Sequence, residues 1–141
     1  MQDKISVIVP VFNGEKTIRN CLRNIIKKNK NVKKEILVIN DNSSDKTSSI
    51  LKTFKNIKII NFKKNKGVGF ARNYGAQKAK YKLICYVDSD LIVSKNSISQ
   101  LIKRLKKDKL TGSVGGIQRT VNLNKKNYSS NFVCLKSCYG F

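Results

Sequence analysis

Short apolar runs alternate with helical periodicity along this chain. Ile5-Ser6-Val7-Ile8-Val9 is brief and β-branched, as a strand buried on both faces would be, and Pro10 is its expected end. From Glu15 the apolar positions Ile18, Cys21, Leu22, Ile25 and Ile26 follow helical spacing, with Lys and Asn on the other face. Glu35-Ile36-Leu37-Val38-Ile39 repeats the strand pattern. Asn42-Ser43-Ser44-Asp45 then offers capping side chains to a helix carrying Ile50, Leu51 and Phe54.

A weaker third strand, Lys58 to Phe62, precedes a helix whose narrow face is made of Val68, Ala71, Gly75 and Ala79, which implies close packing on a sheet. Leu83-Ile84-Cys85-Tyr86-Val87 is the fourth strand. Ile98, Leu101, Ile102 and Leu105 mark a fourth helix with a lysine-rich last turn, and Gly112 is its expected stop. Ser113 to Val121 reads as a further strand kinked at Gly115-Gly116, Asn122 to Asn131 as polar loop, and the last ten residues as the start of a helix cut short. The alternation implies an α/β fold: a mainly parallel sheet with helices on both faces and right-handed crossovers. In such sheets ligands bind at the carboxyl ends of the strands.

Composition narrows the class. The 141 residues suit one core, and 40% hydrophobic content argues against disorder. The domain division expected is residues 1–121 as the main unit and 122–141 as a loop leading into a truncated segment, so that the fold is incomplete at its C-terminal side. The 30 Lys and Arg against 8 Asp and Glu raise nucleic acid, anionic lipid and phosphorylated ligands as partners, but the lysines are spread through nearly every segment, as on a solvated surface.

Cys21 and Cys85 fall in apolar segments and read as buried thiols. Cys134 and Cys138 stand at i, i+4 and would share a helix face in core or partner contact. With no C-x-x-C and no His, a zinc site has little to be built from. No secretory leader is recognisable and no run approaches the roughly 18 apolar residues needed to cross a membrane. A cytoplasmic chain, at most peripheral to an anionic membrane, is the expectation.

The acids carry the chemistry. They are Asp3, Glu15, Glu35, Asp41, Asp45, Asp88, Asp90 and Asp108, and half of them fall just after the second and fourth strands. Asp88-Ser89-Asp90 sets two carboxylates one residue apart, which in extended geometry face the same side and suit Mg²⁺ or Mn²⁺. The plain alternative is a polar turn with a capping Asp or Ser.

Four segments in this order, SVIVPVFNGEKTIRNCL, EILVINDNSSDKT, NKGVGFARNYGA and YVDSD, resemble the successive motifs of family 2 glycosyltransferases over about residues 4–120. The resemblance implies a GT-A, Rossmann-like nucleotide-diphospho-sugar transferase fold. It implies a nucleoside-diphosphate sugar donor, UDP- or GDP-linked, and transfer of the sugar to a hydroxyl of a glycan, lipid or protein acceptor. Phe12 would face the base, with Pro10, Val11 and Asn13 shaping the pocket, and Asp41 would take a hydrogen bond from the base edge. Where the family usually has Asp-Asp, this chain has Asn40-Asp41 and so loses a charge. Gly67, Arg72 and Asn73 match a segment that lies near phosphate or ribose. Asp88 and Ser89 would meet the donor, and Asp88 and Asp90 the metal.

Inverting members use an acid well downstream of the D-x-D segment as the base that takes the acceptor proton, and here only Asp108 follows Asp90, in a lysine-rich setting that reads as surface. A truncated, donor-binding form is expected, its general base not found. The competing readings are weaker. A basic nucleic-acid- or anionic-surface-binding domain without catalysis would interleave aromatics with basic residues, whereas Phe and Tyr are dispersed here, so no nucleic acid is expected. A nucleotidyltransferase wants a Gly- and Arg-rich loop after strand one, which PVFNGEKT does not offer, and a dehydrogenase is disfavoured because Gly67-Val68-Gly69 follows the third strand rather than the first, so the dinucleotide fingerprint is not met.

Overall fold

The computed structural model describes residues 3–116 and 132–136. In chain order the elements are β1 (Lys4–Val11), α1 (Ile18–Lys28), β2 (Lys33–Asn40), α2 (Thr47–Leu51), β3 (Lys58–Asn61), α3 (Val68–Gln77), β4 (Leu83–Val87), α4 (Ser97–Lys107), β5 (Ser113–Gly115) and β6 (Phe132–Lys136). The described strands form one six-stranded sheet in the order β3-β2-β1-β4-β6-β5. β1 to β4 are parallel, and β6 runs antiparallel between β4 and β5.

Both faces of the sheet are covered, which is why its strands read as continuous apolar runs rather than alternating ones. Ile5, Val7, Val9 and Val11 of β1 point to one face and pack with Ile36, Val38, Cys85 and Val87 under α1 and α4. Ile8 points to the other, with Leu37, Ile39 and Ile84, under Ala71 and Ala76 of α3. The predicted apolar stripes of α1 and α4 are buried as the spacing implied. Gly75 lets α3 lie close to the sheet: a Cβ there would stand 2.5 Å from Ile8 Cγ2 and 3.3 Å from Ile39 Cγ1.

Several expectations change. Pro10 lies inside β1, in register with Ile39, because β1 outruns β4: that pairing stops at Ile8 with Tyr86, so a missing N–H at residue 10 breaks no ladder on that side. Val68 is exposed, not part of the packed face of α3. α2 has only five residues and leaves Phe54 beyond its end. α4 stops before Gly112, because Asp108 is extended and its carboxylate closes the next turn by accepting from the Leu110 amide and the Thr111 hydroxyl.

The expected terminal helix is, over 132–136, strand β6. Its residues Phe132, Val133, Cys134 and Leu135 are β-formers, and a gap beside β4 is what they fill, so Cys134 stands opposite Cys85 in strand register instead of on a helix face. Residues 117–121 of the expected fifth strand, the loop at 122–131 and Cys138 lie outside the described residues.

Candidate functional site

The loops after β1 and β2 are sewn together by their own polar side chains. The Asn13 amide donates to Ser43 Oγ at 3.0 Å, and its side-chain Oδ1 accepts from the Ser44 amide at 2.9 Å. The Gly14 amide donates to Thr47 Oγ1 at 2.9 Å. Glu15 and Asp45 exchange bonds: the Glu15 amide donates to Asp45 Oδ2, and the Lys46 amide to Glu15 Oε2, each at 3.0 Å. Asp45 also accepts from the Thr47 amide, closing a local turn just before α2. Burial alone would raise the Asp45 carboxyl, but the hydrogen bonds from Thr47 and from the Glu15 amide outweigh it and hold the group below the usual carboxylate range. Asn13, at φ 49°, takes the left-handed turn this lacing needs, a conformation Asn tolerates well.

Behind this pair of loops stands Asp41. Its amide donates to Val11 O, and its buried carboxylate accepts from the Lys66 and Gly67 amides, both at 2.8 Å. The loop leading into α3 is thereby held by a charge-assisted fork, and Gly67 takes the positive φ of 85° that aims both amides at it. Those two amides are given to a protein carboxylate, so they are not left open for a phosphate.

The third component is Asp88-Ser89-Asp90, which forms a turn closed by the Leu91 amide on Asp88 O at 3.1 Å. That replaces the extended geometry read from the sequence. The Cys21 thiol of α1 donates to the same Asp88 carbonyl from below at 3.5 Å. Burial first, and then the negative charges of Asp90 and Asp88, push this thiol up to about 12, so it stays neutral. Arg72 of α3 reaches across to Asp88 Oδ1 at 2.5 Å, and its buried Nε has no partner.

These parts enclose a cleft of about 350 Å³ at the carboxyl ends of the strands. Pro10, Val11, Phe12 and Asn13 form one wall, Asp88, Ser89 and Asp90 the other, and Asp41 lies between them. Phe12 is half-exposed there, at 52%, too open for a core aromatic. Of the sequence candidates, Asn40, Gly67, Arg72 and Asn73 do not line the cleft. Asn40 is buried, its amide donating to Ser48 Oγ and Asn61 Oδ1 and its oxygen accepting from the Ser43 amide, so its place is behind the wall. An amide can serve donors and acceptors at once, as a carboxylate could not. Asn73 is exposed on α3.

Gly14, Thr17, Val68 and Ala71 line the cleft and were not anticipated. Only Gly14, next to the strand-end motif, carried a signal. A Cβ there would meet Val11 Cγ2 at 2.6 Å. Asn29, buried at the end of α1, was also missed. It caps α4 by accepting from the Ile98 amide and donating to Ser94 O, which fixes where α4 begins and so where the Asp88 turn can go.

An α/β sheet with a polar, acid-lined cleft at its strand carboxyl ends defines a ligand-binding domain of the nucleotide-handling type. The chain belongs to glycosyl transferase family 2, whose model matches residues 6–137. It is 37% identical over 109 residues to "Glycosyltransferase GlyA" of Streptococcus pneumoniae serotype 4 (strain ATCC BAA-334 / TIGR4), a match covering 74% of this chain and 15% of that protein.

Two solved structures share the fold. Mannosyltransferase PcManGT from Pyrobaculum calidifontis, in complex with GDP-Man and Mn²⁺, superposes with a TM-score of 0.79 at 19% identity, over 96% of this chain and 45% of that one. S. aureus TarS 1-349 in complex with UDP-GlcNAc gives 0.68 at 24% identity, over 92% and 44%. The fold is therefore the GT-A fold, and this chain spans less than half the length of each of these proteins.

Proposed function

We propose that the cleft binds a nucleoside-diphosphate sugar together with a divalent cation, as the donor half of a sugar transfer to a hydroxyl acceptor. The carrying observation is that Phe12, Asp41 and the Asp88-Ser89-Asp90 turn, from three separate strand ends, line one cleft. The folds shared with proteins holding UDP-GlcNAc and GDP-Man with Mn²⁺ support this reading. Phe12 offers an open ring to a base, and Asp41, although committed to two amides, keeps oxygen lone pairs toward the cleft for a base N–H.

The metal assignment fits the donor set. Asp88 and Asp90 are hard oxygen ligands, and no cluster of three or more His, Cys, Asp or Glu occurs among the described residues. Two carboxylates with room left for phosphates and water suit Mg²⁺ or Mn²⁺ rather than a softer ion. When bound, such an ion neutralises charge on the departing diphosphate.

In the transfer, an acceptor oxygen bonds to the anomeric carbon, the bond from that carbon to the diphosphate breaks, and the acceptor hydroxyl gives up its proton. All eight acids of the sequence are among the described residues. Asp41 and Asp88 already hold protein donors. Asp108 lies beyond the end of α4, where Lys106 pairs with Asp3 at the start of β1, at the amino ends of the strands and so away from the cleft. That placement argues against Asp108 as the base.

The test is calorimetric titration of UDP-GlcNAc and GDP-mannose with and without Mn²⁺. We expect binding that EDTA weakens and that loses its metal dependence in Asp90→Asn. Affinity indifferent to EDTA and to that substitution removes the metal; no binding of either nucleotide sugar removes the donor site.

A further inference from the structure

One stretch of the chain has a charge pattern that the whole-chain total hides. Residues 46–87 contain eleven Lys and Arg and no Asp or Glu. They build α2, the edge strand β3, α3 and β4. Around the start of α3 the basic residues surround an aromatic group. Phe62 meets Phe70 edge-on at 5.6 Å and Tyr74 at 5.2 Å, and Phe70 and Tyr74 lie nearly parallel, 18° apart, at 6.3 Å. The Lys66 ammonium sits 4.4 Å above the Phe70 ring and the Lys78 ammonium 5.5 Å from Tyr74. Phe70 nevertheless stays 44% exposed and Val68 53% exposed, and Lys63, Lys64 and Lys66 are exposed beside them.

We propose that this surface, the Lys63–Phe70 segment with Tyr74 and Lys78, docks on an anionic lipid bilayer. Charge complementarity selects the partner: the exposed Lys63, Lys64, Lys66 and Lys78 are attracted to an anionic headgroup layer, each lysine adding to the attraction, and exposed aromatic and aliphatic side chains settle at the boundary between headgroups and chains. A single-stranded nucleic acid fits less well. Its bases need free ring faces to stack on, and the Lys66 ammonium already lies over the Phe70 ring. Because the segment leads into α3, whose first turn supplies Val68 and Ala71 to the cleft, docking brings the cleft mouth to the lipid surface. The inference stands independently of the donor reading, since it requires no ligand in the cleft.

The experiment is cosedimentation of the full chain with phosphatidylglycerol-containing vesicles and with pure phosphatidylcholine vesicles. It compares the wild type with a Lys63→Gln/Lys64→Gln/Lys66→Gln variant and with a charge-matched Lys103→Gln/Arg104→Gln/Lys107→Gln variant on α4, all checked for an unchanged melting temperature. We expect binding to the anionic vesicles only, weakened about tenfold or more by the first set and little by the second. Equal loss in both variants reduces the effect to bulk charge and overturns the proposal, as does the absence of binding to anionic vesicles. Patch-dependent binding of a single-stranded oligonucleotide with vesicles ignored assigns the surface to nucleic acid instead, and also overturns it.

Discussion

Arg72 and Asp88 are joined across the cleft wall by an ion pair in which Asp88 Oδ1 is already neutralised before any ligand arrives. The side chains are 34% and 19% exposed, so water screens the pair in part, and the Arg72 Nε is left buried without a partner. A divalent cation at Asp88 must share that carboxylate with a guanidinium. Arg72→Ala should therefore bind Mn²⁺ alone more tightly, by about 3- to 10-fold, the scale of a screened ion pair worth roughly 1 kcal/mol. Counting free Mn²⁺ by electron paramagnetic resonance during titration checks it; equal or weaker binding would show that Arg72 does not compete for the site.

Phe12 is expected to act as the platform for the base. Phe12→Ala should weaken binding of UDP or GDP by ~1–3 kcal/mol, the usual scale for losing an aromatic under a base. The residue is half-exposed, so the fold should be unaffected. Unchanged affinity in a folded variant returns Phe12 to a surface role.

Asp45 sets an acid limit on the clamp between the first two loops. Its folded carboxyl lies below its ordinary value, so it contributes stability above the unfolded pKa, and that contribution is lost as pH falls through the folded value. Asp45→Asn should be less stable than the wild type at neutral pH, with the gap closing below about pH 4. Urea unfolding at both pH values reads this directly. A gap independent of pH would mean that the hydrogen bonds, and not the charge, do the holding.

Gly75 is required by packing. A methyl group at this position overpacks against Ile8 Cγ2, a strain of ~1–3 kcal/mol, while Ala regains about 1 kcal/mol of helix propensity. Gly75→Ala should lower stability by up to about 2 kcal/mol. In an Ile8→Leu background, where the branched methyl is gone, the loss should shrink or change sign, and a double-mutant cycle by chemical denaturation measures it.

Donor binding and acceptor activation are separable tasks, and on the proposed reading the residues gathered at this cleft serve the first. The chain by itself should bind donor yet transfer sugar ~10²–10⁴-fold more slowly than a longer family member that supplies a base. Sugar-transfer assays on the two, side by side, decide; comparable turnover would mean that Asp41, Asp88 or Asp90 takes the acceptor proton.

The strands, the apolar stripes of α1 and α4 and the strand-end position of Asp41 and Asp88 were legible in the sequence because each depends on local spacing. A buried strand needs a short apolar run, and a helix on a sheet needs residues three and four apart. What tertiary structure decided is where the polar groups of one loop find their partners in another. Nothing local says that Asn13 answers Ser44, that Asp41 spends its carboxylate on the Lys66 and Gly67 amides, or that Asn29 caps a helix 69 positions on at Ile98. The residues from Phe132 to Lys136 make the same point. Their composition permits either a strand or one turn of helix, and the open edge of β4, unseen from the sequence, supplies the hydrogen-bonding partners that make them a strand.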